Sequence, residues 1–284
     1  MVTPNLSENY LERRWKAELS LGFFCVNGHT VLKRRDHRGP LLVQKPFYPE
    51  ADGTCHVYVL HPPGGLVGGD SLKIDIEIGS GAHALITSPA ANKFYRSTGL
   101  DTRLEQRIKV APGGTIEWFP LENIFFSGTN ARIMTRVELS SESNFIGWDI
   151  GCLGRPACNE LFRHGRIDQR FEIWRDGTPL RVERLLIKGR DSLLEANWGL
   201  INRPTIASVI CATSRQDLLV SLRKISIPSH GTGLFSVTHV DGVILCRFLG
   251  GNAEQARRYL IAAWKILRYG VMGKKAVEPR IWNT

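Results

Sequence analysis

The sequence has no uncharged apolar run approaching the roughly 18 residues that a bilayer-spanning helix needs, so no membrane span is expected. Its first stretch, MVTPNLSENYLERRWKAELSLGFF, places the basic side chains behind a polar start and has no apolar core segment. That pattern predicts a cytoplasmic chain without a secretory leader. No Ser/Pro-rich or charge-block linker interrupts it, and a single domain over residues 1–284 is expected. Catalytic signatures are missing too. There is no Gly-x-Ser-x-Gly elbow, and no local spacing couples a nucleophile to a base. There is no Cys-x-x-Cys, no His-Glu-x-x-His and no calcium loop, so neither covalent catalysis nor a tight permanent metal site is read from motifs. Catalytic groups that meet only in the folded chain are invisible to such a search.

Six cysteines are present, Cys25, Cys55, Cys152, Cys158, Cys211 and Cys246. In a reducing compartment they are expected as buried thiols rather than disulfides, and the sequon Asn5-Leu6-Ser7 carries no sugar. The one cluster of soft ligands, Cys152-x5-Cys158-x5-His164, fits no structural zinc spacing and reads as loop or core thiols beside a surface histidine. The net charge is +10, yet the basic residues are dispersed and form no aromatic-interleaved nucleic-acid signature. An acidic protein partner accounts for that charge as well.

Strand patterns dominate what remains. In LKIDIEI, Leu72, Ile74, Ile76 and Ile78 alternate with Lys73, Asp75 and Glu77, as in a half-buried strand. Similar short runs recur along the chain, separated by Asp-Gly and Pro-Gly-Gly turn chemistry. Two helices are predicted, over about 214–224 and 252–270. Ser214/Asp217 and Asn252/Gln255 open them as capping boxes, and Gly270 closes the second. The apolar stripe of the second helix, from Ala256 to Leu267, is expected to pack on the sheet, a partner-binding face being the alternative. Pro-x-x-Asn-x-apolar-aromatic occurs at Pro89, Pro120 and Pro156, 31 and 36 residues apart. Recurrence at this period predicts stacked supersecondary units, as in a solenoid or β-helix.

The segment HPPGGLVGGD, His61 to Asp70, resembles a phosphate cradle at first sight. A Walker A loop would follow its last glycine with Lys-Ser/Thr, whereas Asp70 stands here and would repel phosphate. The dinucleotide fingerprint fails as well, because a strand rather than a helix follows. The glycines therefore predict left-handed or closely packed backbone between two strands. His61 and Asp70 either cap that turn by hydrogen bonding or line an ion's route or a partner surface.

Several long motifs in order, GPLLVQKPFYPE (39–50), CHVYVLHPPGGLVGGD (55–70), LITSPAANKFYRS (85–97), IFFSGTNAR (124–132), WDIGCLGRPA (148–157), VERLLI (182–187) and the terminal PRIWNT, resemble the urease accessory protein UreD (UreH) family. The resemblance implies an all-β, β-helix-like scaffold with two helices and no enzymatic activity. It implies a metallochaperone partnership with UreF, the GTPase UreG and urease apoprotein (UreABC), serving nickel insertion. No tightly bound cofactor is implied: nickel is in transit, and GTP belongs to UreG. Asn159 departs from the family, which usually has Gly there. From the resemblance, Asp149 and Glu183 are candidate residues lining a nickel passage, the alternative for each being an ion pair with a nearby arginine such as Arg155 or Arg184. His61 and Asp70 are weaker candidates for the same route. The runner-up function is a β-helical enzyme or binding protein acting on an acidic polymer; for an enzyme, the sequence offers no close acid pair.

Overall fold

The structure, a computed structural model, describes residues 15–226 and 233–283, so the Asn5 sequon lies outside it. The chain opens with β1 (Lys16–Val26) and β2 (His29–Arg38), followed by β3 (Leu42–Val43) and β4 (Cys55–Leu60). It then winds: β5 (Ser71–Ile78), β6 (His83–Thr87) and β7 (Asn92–Phe94) form one turn, and β8 (Thr102–Val110), β9 (Thr115–Phe119) and β10 (Asn123–Phe125) the next. A further turn holds β11 (Asn130–Leu139) and the long β12 (Asn144–Leu153), and β13 (Arg166–Arg175) starts another before β14 (Thr178–Lys188) folds back on it. The chain ends with β15 (Thr205–Ala212), β16 (Leu234–Val240) and β17 (Val243–Gly250), with α1 (Leu218–Arg223) and α2 (Ala253–Met272) placed before and after the last hairpin.

Parallel pairing of equivalent strands makes this a β-helix of about four turns, the all-β solenoid with two helices expected from the sequence. One wall stacks β1, β5, β8, β11 and β13; the second stacks β4, β6, β9 and β12. A short third wall stacks β7, β10 and the end of β12. The antiparallel strands β15, β17 and β16 extend the second wall.

The walls differ because their outer faces differ. First-wall strands have water outside, and β5 and β8 alternate buried and solvated residues along their length. Every residue of β6 (HALIT) and β9 (TIEWF) is buried, because α2 and the C-terminal segment cover the second wall from outside. Ala256, Leu260, Ala263, Trp264 and Leu267 of α2 are buried there, as the stripe reading anticipated. Phe119 sits among Trp148, Trp264 and Trp282 at ring centroid distances of 4.3, 5.1 and 6.1 Å.

The helix boundaries need correction. Asn252 caps α2 as expected, its side chain accepting from Gln255 N at 2.8 Å. Gly270 does not end the helix, which runs to Met272 and stops at Gly273 in the left-handed conformation, φ 67°. The first helix is shorter than 214–224: it starts at Leu218 without a side-chain cap, because Asp217 is held by Arg215 instead.

The repeat also splits. Asn92 and Asn123 stand opposite one another in parallel register, and the Asn92 side-chain amide donates to Asn123 Oδ1 at 3.2 Å. The next position in that column is Gly151, not Asn159, so the third copy of the motif is accidental. Asn159 instead ends a short 3-10 turn in the left-handed region, φ 55°, which Gly and Asn share.

A buried charge network fixes α2 to the solenoid. Arg268 is fully buried; its Nη2 reaches both oxygens of Glu50 at 2.8 and 2.7 Å, and Nη1 donates to Lys275 O at 2.6 Å. Its Nε lies 3.0 Å from Glu117 Oε1, a charge contact without hydrogen-bond alignment. Glu117, also fully buried, accepts from Trp264 Nε1 at 2.5 Å and faces His83 Nε2 at 2.8 Å. Burial alone would raise its pKa, but the hydrogen bond from His83 and the charges of His83 and Arg268 hold it below the ordinary carboxylate value.

Candidate functional site

Along β12 the side chains alternate between two cores. Ile146, Trp148 and Ile150 lie beneath α2, and Phe145 and Leu153 belong to the core inside the solenoid. Asp149 is on the inner face, between Gly147 and Gly151. A Cβ at Gly151 would meet nothing closer than 3.5 Å, so that side of the carboxylate is open, whereas the Phe145 ring fills the place beside Gly147. A cavity of about 640 Å³ occupies that end of the solenoid, lined by Asp149, Gln169, Glu183, Ser208 and Arg247.

Asp149 has amide partners and no arginine. Gln169 Nε2 donates to Oδ2 at 2.5 Å, and Asn123 Nδ2 stands 3.5 Å from Oδ1. Enclosure by protein pushes the Asp149 carboxyl from 3.8 up to about 6; the Gln169 hydrogen bond opposes this rise and the negative charge of Glu183 adds to it. A line of polar groups, three amides and one carboxylate, therefore runs from Asn92 through Asn123 to Asp149 and Gln169 within an apolar interior.

Glu183, on the inner face of β14, is ion-paired, though not with the arginines suggested by sequence proximity. Arg181 donates to Glu183 Oε1 through Nε at 2.9 Å and Nη2 at 2.7 Å, and Arg247 Nη2 from β17 contacts the same oxygen. Arg184 pairs with Asp168 and Arg155 with Glu160. The structure thus brings Asp149 and Glu183, far apart in sequence, to one cavity.

His61 and Asp70 go different ways. The loop between them forms the third side of the first turn: Leu66 pairs in parallel with Phe94, giving and receiving backbone hydrogen bonds of 2.7 and 2.9 Å. Gly65 is required there, since a Cβ would come within 2.3 Å of the Tyr95 ring. Asp70 is buried and accepts from Trp15 N at 3.1 Å and Val67 N at 2.9 Å, a cap that ties the loop to the start of β1. His61 is half-buried, and its Nε2 is buried with no hydrogen-bond partner among the described residues. Burial lowers its pKa against the opposing charge of Asp70. It lines a second cavity of about 300 Å³ with Asn92, Gln106 and Trp118.

Sequence reading missed Asn123, Gln169, Arg181 and Arg247. One signal was available: in GWDIG the period-2 face reads Gly-Asp-Gly, an acid between two absent side chains. Among the described residues, no three His, Cys, Asp or Glu side chains gather to hold a metal. Cys152 is buried against Thr205, and Cys158 is exposed. Two isolated carboxylates, one with only amide partners, offer weak oxygen ligation of the kind that releases an ion as readily as it binds one.

The family model described as "UreD urease accessory protein" matches residues 16–283. The chain is 44% identical over 275 residues to "Urease accessory protein UreD" of Alcanivorax borkumensis, covering 95% of this chain and 92% of the relative. It is 44% identical over 270 residues to "Urease accessory protein UreD 2" of Brucella anthropi (95% and 98% covered). Against "Urease accessory protein UreD" of Klebsiella aerogenes it is 42% identical over 276 residues (96% and 98%).

Proposed function

Because this chain belongs to the UreD urease accessory protein family, whose members serve urease maturation and are not catalysts, we propose that it is a cytoplasmic, non-catalytic scaffold for nickel delivery. In this reading it pairs with UreF, recruits the GTPase UreG and docks on urease apoprotein (UreABC), so that GTP chemistry belongs to the partner. The alternative of an enzyme acting on an acidic polymer falls with the family assignment, although the cavity does hold two carboxylates.

The observation that carries the nickel reading is Asp149: a half-buried carboxylate on a glycine-flanked face, without a cationic partner among the described residues, at a cavity of about 640 Å³. An acid required only for packing would be neutralised by a cation, as Glu117 is. Nickel entering as cargo takes oxygen ligands from Asp149, from Glu183 once it is free, and from the amides of Asn123 and Gln169 once they turn their oxygens toward it. Few, hard and partly mobile ligands keep the ion's stay short. His61, facing the second cavity at the other end of the Asn92–Asn123 line, is the candidate for the opposite mouth; Asp70 is assigned to the loop cap and not to the route.

The test is to mature urease with Asp149→Asn or Glu183→Gln in place of the native chain. The nickel content per urease should fall while cooperative unfolding and co-purification with UreF are retained. Full nickel loading with both variants would refute the passage.

A further inference from the structure

The cavity lies where the two long walls end. The free strand of the first wall is β14, and that of the second is β16, with β17 behind it. Backbone hydrogen bonds hold each wall together, and between β14 and β17 an ion pair spans the gap: Arg247 reaches Glu183 across the cavity and meets Arg181 there. Register shows what Arg247 forgoes. Asp149 stands opposite Ser208, and Ser208 opposite Arg247, so the three side chains share one face in one row. Arg247 faces the same cavity as Asp149 but spends its charge on Glu183.

Two features mark this bridge as reversible. It is half in water, with the Arg247 side chain 47% and the Glu183 side chain 23% exposed, so its loss is inexpensive compared with that of a buried pair. It is also overcharged. Arg181 and Arg247 share Glu183, while Arg166 and Arg184 share Asp168 on the adjoining face, giving four guanidiniums for two carboxylates. Val182 and Leu234, both exposed, line the same opening.

We propose that the Arg247–Glu183 bridge is a clasp over the mouth of the cavity, undone when an acidic protein surface competes for Arg247 and Arg181 and so frees Glu183 to take a divalent cation. This rests on the nickel-passage reading and adds its regulation: the site accepts the ion only when the partner is seated. The surplus of guanidinium over carboxylate selects a partner rich in Asp and Glu, and the exposed Val182 and Leu234 provide the apolar part of the contact.

The full chain tests this in two measurements. Nickel binding is followed by calorimetry at low ionic strength for the native protein, Arg247→Gln, Arg181→Gln, Asp149→Asn and Asp149→Asn/Arg247→Gln, each checked for a cooperative melting transition. Releasing one charged hydrogen bond (Arg247) or two (Arg181) at a half-exposed site should tighten nickel binding by about three- to tenfold in either arginine variant, and Asp149→Asn should cancel the gain. In metal-free buffer, a fluorescein-labelled decaglutamate peptide should bind the native chain and lose several-fold in affinity with Arg247→Gln, more steeply at low salt. If the arginine variants bind nickel as the native chain does while Asp149→Asn still weakens it, the clasp is wrong and the passage stands. If Asp149→Asn changes nothing in any background, both fail. Equal peptide binding by native and Arg247→Gln proteins overturns the acidic-partner half.

Discussion

Replacing Arg268 by Met is the sharpest probe of how α2 is held. The side chain is fully buried, with both Glu50 oxygens at 2.7–2.8 Å and Glu117 at 3.0 Å. Methionine fills much of the volume, so the cost is chiefly that of leaving buried carboxylates uncompensated, about 3–5 kcal/mol for breaking such a pair. At about 2 °C per kcal/mol for a chain of this size, the melting temperature at pH 7.5 should fall by roughly 6–10 °C. The pH dependence separates charge from packing. In the native chain Glu117 is held below its ordinary pKa, so it contributes stability above about pH 4.5 that is lost as pH falls through its folded value. Without Arg268, burial is opposed only by His83 and Trp264, the Glu117 pKa rises, and its charge becomes a cost at neutral pH that protonation removes. The gap between native and variant should therefore narrow between pH 7.5 and 5, and Glu117→Gln in the Met background should recover part of the loss. A loss of stability that is constant with pH and untouched by Glu117→Gln would refute the electrostatic account and leave a packing defect.

Three further outcomes are expected. Trp282→Ala removes a buried ring packed on Phe119, Trp148 and Trp264, together with a 2.8 Å hydrogen bond to Thr87 Oγ1, and should cost about 3–5 kcal/mol in denaturant titration. In native buffer, Ellman's reagent should titrate the exposed Cys25 and Cys158, and Cys55, Cys152, Cys211 and Cys246 only after unfolding, since burial also pushes Cys55 up to about 11 and Cys152 and Cys246 to about 12. Asp149→Asn should stabilise the chain at pH 8 by about 1–3 kcal/mol, because a carboxyl raised from 3.8 to about 6 is ionised there at the expense of the fold. Stability tied to the protonated acid is present below about pH 4 and lost as pH rises through 6, so that advantage should vanish in acid.

Local chemistry was legible where one face of an element meets water. The alternation in LKIDIEI and the Asn252 cap were both read correctly from neighbouring residues. The period of the solenoid was visible through Asn92 and Asn123, whose side chains touch across one rung. It misled at Asn159, because the true equivalent, Gly151, has no side chain to match. Gly270 was misread because its role lies in tertiary contact: a Cβ there would come within 2.4 Å of Leu218 in α1, so its absence lets the helices approach rather than ending α2. Beyond its neighbour Arg181, Glu183 is paired with Arg247 64 residues away, and Arg268 with Glu50 218 residues away; no local pattern encodes pairing at that distance.

The contrast between Glu117 and Asp149 bears on the proposed delivery role. Both are carboxylates enclosed in a solenoid, on adjacent strands of the same wall. Glu117 faces outward under α2, where His83, Trp264 and Arg268 saturate it and hold the ionised form. A cation arriving there would have to displace partners already paired in a dry interior, so the site is closed by its own stability. Asp149 faces inward onto a cavity, has neutral donors only, and is pushed toward its protonated form. A divalent ion arriving there would meet a carboxylate held only by neutral amides and would have no cation to displace. Strong pairing therefore belongs to the scaffold and, in the proposed nickel reading, weak pairing to the cargo, the two carboxylates standing on opposite faces of one sheet.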